Sequence, residues 1–145
     1  MSNPASDVMR LAHAEAVALG HAVIGTEHML LGLTAAPDEP AARALAERGV
    51  YVGTLRTQVR RLTAPGPSEA PAGRLPHSPL AKQVVERAVW EARMREQNFV
   101  GPTHLMIALL AVEDSVAADV LRALGVDPEE LRADVLREVG WPDTD

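Results

Sequence analysis

A repeat at a fixed spacing constrains this chain more than any other feature. Gly25 and His28, in the segment IGTEHMLLGL, return as Gly101 and His104 in VGPTHLMIALL, and 101 − 25 and 104 − 28 both give 76. Without any gap, the same shift pairs Ser2 with Ser78, Ala5 with Ala81, Val8 with Val84, Ala12 with Ala88, Glu15-Ala16 with Glu91-Ala92, Leu33 with Leu109, Ala41-Ala42 with Ala117-Ala118, Leu45 with Leu121, Gly49-Val50 with Gly125-Val126, Leu55-Arg56 with Leu131-Arg132 and Val59 with Val135. The chain therefore predicts two copies of one structural unit.

The composition predicts that this unit is helical. Hydrophobic residues make up 47% of the 145 residues, which suffices for a packed core, but aromatic residues make up only 3%. A core built from Ala, Leu and Val favours closely packed helices, because strands usually draw on β-branched and aromatic residues. We expect a single domain over residues 1–145.

Apolar residues at helical spacing predict eight helices. Their expected ranges are 5–19, 27–33, 38–48, 52–62, 79–96, 103–112, 114–124 and 128–139. Thr26, Ser78 and Asp127 are the expected N-terminal caps. Prolines and glycines between residues 64 and 77 predict a linker, so repeat one spans 2–63 and repeat two spans 78–139. The expected fold is all-α, a pseudo-two-fold pair of four-helix units followed by a loose tail, WPDTD.

Charge and composition exclude several classes of function. A net charge of −6 argues against sequence-independent binding of nucleic acid through a basic surface. The chain has no cysteine, which excludes thiol catalysis and Cys-ligated zinc. We see neither a signal peptide nor a run of about 20 apolar residues that could span a membrane. The expectation is a cytoplasmic protein with neither nucleic-acid nor membrane partners.

Two long strings resemble the N-terminal domain of the Clp/Hsp100 AAA+ unfoldases, of the ClpC type. The first is LGHAVIGTEHMLLGL followed by AARALAERGV, and the second is EARMREQNFVGPTHLMIALL followed by AADVLRALGV. The resemblance covers residues 2 to 139 and implies an eight-helix domain that receives substrates, adaptors or peptide ligands. No G-x-x-x-x-G-K-[ST] motif is present. The chain therefore looks like a free-standing docking domain that cannot hydrolyse ATP.

The resemblance implies that each repeat can bind a phosphorylated arginine. The matching positions are Ser2 and Glu27 in the first half, and Ser78 and Thr103 in the second. A helix N-terminus with a hydroxyl cap suits the phosphate, and a carboxylate suits the guanidinium. Thr103 cannot neutralise a guanidinium, so we expect weak binding in the first half and none in the second. Glu27 as a plain first-turn acid and Ser78 as a plain N-cap remain the alternatives.

The same resemblance implies a surface near the two-fold seam on which cyclic peptides dock. Met9, Val85 and Phe99 are the candidates for it, because Met9 and Val85 differ between the two copies. Val8 and Val84 recur in both copies, which favours a place in the core for them.

The histidines do not form a recognisable metal motif. H-E-x-x-H is absent, and His13 and His21 have no clustered third ligand in the sequence. His28 and His104 occupy equivalent positions, which indicates a hydrogen-bonding role in the core. No nucleophile elbow or oxyanion-loop pattern occurs either. We expect no metal, no cofactor and no enzymatic activity.

The sequence thus predicts a non-catalytic binding module of protein quality control. It would bind peptides, tagged substrates or cyclic peptides as an adaptor, competitor or sink for a ClpC-type unfoldase. The alternative is a regulatory protein that pairs with an unfoldase N-domain, or with itself, and has no ligand pocket of its own.

Overall fold

A computed structural model describes residues 4–35, 39–64 and 73–144, and within those ranges the chain is all-α. These ranges contain eight helices: α1 (Pro4–Ala18), α2 (Thr26–Thr34), α3 (Pro40–Ala46), α4 (Val52–Leu62), α5 (Pro79–Met94), α6 (Pro102–Leu110), α7 (Val116–Ala123) and α8 (Pro128–Val139). The prediction of eight helices is confirmed. Extended pairing in the described residues is limited to one isolated parallel bridge, between Ile24 and His77. None of the described helices is long and apolar enough to cross a lipid bilayer.

The ends of the helices depend on local caps that the apolar spacing does not show. Helix α3 is shorter than expected because Pro40 is its first residue, a position where a missing N–H costs nothing. Helix α7 begins only after Ser115, whose hydroxyl accepts the Ala118 N–H. The prediction that Thr26 caps α2 is wrong. Gly25 is the N-cap residue, and the Thr26 hydroxyl instead accepts the Ala117 N–H of α7 at 3.2 Å.

Helices α2 and α6 form the centre of the molecule. All nine residues of α2 are buried, as are seven of the nine in α6. Helix α1 packs on α2, and α5 packs in the same way on α6. The outer helices cross between the halves, because α3 packs on α8 and α4 packs on α7. The repeat therefore folds as one interlocked pseudo-two-fold domain with a continuous core.

The C-terminal residues 141–144 are held against the second half. Trp141 is half-buried and stacks on His104, with the ring centroids 4.8 Å apart. Arg95 Nη1 donates a hydrogen bond to the Pro142 carbonyl at 2.7 Å, and the Thr144 hydroxyl donates to Glu91 at 3.0 Å. The prediction of a loose tail is wrong for these residues. Stacking of an aromatic ring and hydrogen bonds to buried charges hold them in place.

Candidate functional site

The two Gly–His turns begin the central helices in the same way. In α2 the Gly25 N–H donates to Nδ1 of His28 at 2.8 Å, and in α6 the Gly101 N–H donates to Nδ1 of His104 at 2.9 Å. Each histidine is the third residue of its helix and satisfies a backbone donor that would otherwise be buried without a partner. This explains why the glycine–histidine spacing recurs although these two residues do not belong to the pattern of apolar residues at helical spacing.

The hydrogen bond from Gly25 fixes the protonation of His28. Because Nδ1 accepts, the proton of the neutral ring lies on Nε2, which donates to Nδ1 of His21 at 2.8 Å. His21 in turn donates from Nε2 to the Ala64 carbonyl at 3.0 Å. Burial, and secondly the nearby His21, lower the pKa of His28 to about 4. In the second half Gln97 stands in place of His21 and accepts from His104.

Glu27 lies beside this histidine pair and is almost fully buried, with 9% of its surface exposed. Burial raises the pKa of its carboxyl group, while its own backbone N–H and the nearby His21 oppose the rise. A Cβ atom on Gly25 would collide with Oε1 of Glu27, so the glycine makes room for the carboxylate. The first half therefore holds a buried acid where the second half has the half-buried Thr103.

His21, Glu27 and His28 form a three-residue cluster that was not predicted from the sequence. Their potential ligand atoms all lie within 4.8 Å of one another, and His13, which the sequence considered together with His21, is not part of this cluster. The hydrogen bonds nevertheless suit a metal poorly. The Nδ1 lone pair of His28 already accepts from Gly25, so a metal on Nε2 would leave the ring with no proton at all. The arrangement fits a chain of hydrogen bonds better than a metal centre.

Ser78 lies next to the turn of the first half. Its hydroxyl caps α5 by accepting the Ala81 N–H at 3.1 Å, as expected. Its backbone N–H donates to the Ile24 carbonyl at 2.8 Å, and the Ile24 N–H donates to the Pro76 carbonyl at 2.8 Å. These bonds attach the start of α5 to the segment that leads into Glu27. The predicted grouping of Ser78 with Thr103 stays a prediction, and Ser2 lies outside the described residues.

A groove of about 980 Å³ runs between α1, α5 and the segment 73–77. Met9 and Val85, two of the three residues predicted for a cyclic-peptide surface, both line it. Phe99 does not line it. Phe99 is 55% exposed, and its ring packs edge-on against His104 with the ring centroids 5.7 Å apart. Val8 and Val84 are buried in the core, as expected.

Of the described residues that line the groove, those that carry charge are all basic. They are Arg10, Arg74 and Lys82, accompanied by His13 and His77. Burial lowers the pKa of His77, and the nearby Lys82 and Arg74 lower it further. His13 contacts the Gly73 carbonyl through Nε2 at 3.2 Å and so joins α1 to the opposite wall.

A buried ion cluster in the second half was not predicted from the sequence. Glu91 is fully buried and accepts hydrogen bonds from Arg87 and Arg95, both at 3.1 Å, and Arg132 lies 3.6 Å away. In the first half Arg56 pairs with Glu15 at 2.6 Å. A signal was present, since the repeat places both the acid and one arginine at equivalent positions in the two halves. This cluster anchors the tail and is structural.

Comparison with known proteins gives consistent sequence matches along the chain. The model of the Clp repeat (R) N-terminal domain family matches residues 1–101 and 78–144. The chloroplast chaperone protein ClpC1 of Oryza sativa subsp. japonica is 40% identical over 133 residues. A probable ATP-dependent Clp protease ATP-binding subunit of Chlamydia pneumoniae is 38% identical over 138 residues. These matches cover 92% and 95% of this chain but only 14% and 16% of the relatives.

Solved structures of similar fold include the N-terminal domain of the chaperone ClpD from Arabidopsis thaliana. It superimposes with a TM-score of 0.80 at 27% identity, and the match covers 97% of this chain and 94% of that one. The Hsp104 N-terminal domain from Candida albicans superimposes with a TM-score of 0.78 at 18% identity, covering 100% and 95% of the two chains. This second similarity concerns the fold alone.

Proposed function

The chain belongs to the Clp repeat N-terminal domain family, whose members are protein-interaction modules. We propose that it binds peptide ligands as a non-catalytic adaptor, competitor or sink for a ClpC-type unfoldase. The observation that carries the proposal is the groove between α1 and α5. Its volume matches that of typical ligand pockets, about 300–1,000 Å³. The groove supplies a ligand pocket. It therefore favours ligand binding over the alternative that the chain is a regulatory protein that pairs with an unfoldase N-domain, or with itself, and has no ligand pocket of its own.

The groove supports binding of apolar ligands, including cyclic peptides. Met9 and Val85 are half-buried on its walls, and apolar side chains of the core form its floor. Covering such half-exposed surface stabilises a complex by about 25 cal/mol for each Å² of apolar area removed from water. We place this binding in the cytoplasm, with the chloroplast as the alternative because several relatives are chloroplast proteins.

A polar subsite formed by Glu27 and Ser78, in addition to the groove, suits a phosphorylated arginine. The buried Glu27 carboxylate would regain its preferred charged state by pairing with a guanidinium. The N-terminus of the 16-residue helix α5, capped by Ser78, offers its positive dipole end to the phosphate. The two residues come from different repeats, and two backbone hydrogen bonds bring their segments together. We propose one such subsite for each chain, because Thr103 supplies no carboxylate to the other half.

A thermal-shift series with a cyclic peptide that targets ClpC tests the proposed function. Ligand binding to the folded state raises the melting temperature as ligand concentration increases. Met9→Glu should abolish the rise by placing a charge in the groove. Val17→Glu is the matched control, because Val17 lies on the same helix, is 41% exposed and does not line the groove. An unchanged melting temperature at saturating peptide, or equal loss in both variants, would count against the proposal.

A further inference from the structure

The groove is lined by basic residues although the chain as a whole is acidic. The protein has 20 acidic and 14 basic residues and a net charge of −6. Among the residues that the structure describes, those that carry charge on the groove walls are nevertheless all basic. A cleft lined by side chains of one charge attracts ligands of the opposite charge, even in a protein whose net charge has the other sign.

Two of these cations are available to a ligand. Arg10 pairs with Asp7 within α1, which offsets its charge. In the part of the chain that the structure describes, no carboxylate pairs with Arg74 or Lys82, and both side chains are exposed. Lys82 lies in the second turn of α5, near the positive end of that helix. The lowered pKa of His77 between them agrees with a positive field at this end of the groove.

From this charge complementarity we infer that the groove selects peptides that carry acidic side chains beside apolar anchors. The inference rests on the proposed peptide-binding function and names its substrate class. The apolar anchors lie against Met9 and Val85, and the acidic residues lie at the end marked by Arg74 and Lys82. Both cations are exposed on the rim and do not enclose a small cavity. That position suits several carboxylates along a peptide better than one enclosed phosphoryl group.

Fluorescence anisotropy with three labelled linear peptides tests the inference. The peptides share one apolar centre and differ only in their flanks, which are Asp/Glu, Asn/Gln or Lys. The acidic peptide should bind about tenfold more tightly than the neutral one at low ionic strength, and the difference should shrink at about 0.15 M salt. The basic peptide should bind most weakly.

Charge reversal supplies the matched variants. Arg74→Glu with Lys82→Glu should reverse the order of the acidic and basic peptides. Arg60→Glu with Arg61→Glu, on the exposed face of α4 and outside the groove, changes the net charge equally and should leave the order unchanged. Circular dichroism and melting temperature establish that both double variants are folded.

The outcomes separate this inference from the function on which it rests. If the neutral peptide binds and the acidic one binds no better, or if both double variants act alike, the inference of acidic selectivity is wrong. If no peptide binds at all, the proposed peptide-binding function itself fails. If sedimentation shows a dimer that the Arg74/Lys82 variant abolishes, the occupant is a second copy of this acidic chain and not a peptide.

Discussion

Nδ1 of His28 accepts the Gly25 N–H, and Nε2 carries the ring proton and donates to His21. A second proton would have to bind Nδ1 and would break the hydrogen bond from Gly25. The same capping contact recurs at His104, where the partner is an amide and not an imidazole. The two histidines are therefore equivalent as caps and different in their surroundings. Only the first half combines the cap with a second histidine and a buried acid.

The low pKa of His28 predicts an acid-sensitive fold. The unfolded chain takes up this proton near pH 6.5, whereas the folded chain resists it until about pH 4, so stability falls as the pH drops through that window. The expected loss is about 2 to 3 kcal/mol. Urea unfolding at about pH 7 and about pH 4.5 measures it.

His28→Gln isolates this contribution, since glutamine at the third helical position can also accept the backbone N–H of the cap residue. The variant should lose less stability on acidification than the parent protein. Both proteins retain His104 and all carboxyl groups, so those groups affect the two curves equally. Parallel loss of stability in the two proteins would show that His28 does not carry the effect.

The sequence identified the important residues of the turns but not how they group. The recurrence of Gly25 and His28 was enough to predict a hydrogen-bonding histidine. The pairing of Ser78 with the first half was not predictable, because it depends on how the segment before α5 passes Ile24. The cluster of His21 with Glu27 and His28 was missed for a similar reason, since helical spacing does not describe the loop between α1 and α2.

At the scale of the helices, α1 and α2 approach unusually closely at Gly32. A Cβ atom there would lie 2.7 Å from the Val8 carbonyl oxygen and 3.0 Å from the Ala12 nitrogen, both backbone atoms of α1. The equivalent position in the second half is Ala108, which is fully buried. The two helix pairs therefore cannot pack at identical separations.

Gly32→Ala should destabilise the protein by about 1 to 3 kcal/mol, because the methyl group forces α1 away from α2. Gly53→Ala is the control. Gly53 lies in α4 with no atom within 4 Å of an added Cβ, so the change should stabilise the helix by about 0.5 to 1 kcal/mol. Chemical unfolding of both variants measures the difference. Similar effects of the same sign would contradict the close approach of α1 and α2.

Sequence periodicity located every described helix, but capping chemistry set the ends. The ranges predicted for α4 and α8 agree with the structure. Asp127 and Gly140 cap α8, whereas Tyr51 gives α4 no side-chain cap. Helices α3 and α7 are shorter than predicted, since Pro40 and Ser115 define where each begins. The division into repeats at 2–63 and 78–139 around a linker at 64–77 stays a prediction.

At the scale of the whole molecule, the interlocked halves create features that neither half has alone. The groove takes its walls from α1 in the first half, α5 in the second and the segment between them. The proposed polar subsite likewise combines Glu27 with Ser78 across the repeats. The tail adds to the asymmetry, because Trp141 packs on the turn of the second half only. The fold is symmetric, and we propose that the function is not.

Isothermal titration calorimetry with free phospho-arginine tests this central claim most directly. We predict one site for each chain, lost in Glu27→Gln and weakened in Ser78→Ala, because these remove the guanidinium partner and the helix cap. Thr103→Val should leave binding unchanged. Two equal sites, or binding that survives Glu27→Gln and disappears in Thr103→Val, would contradict the account.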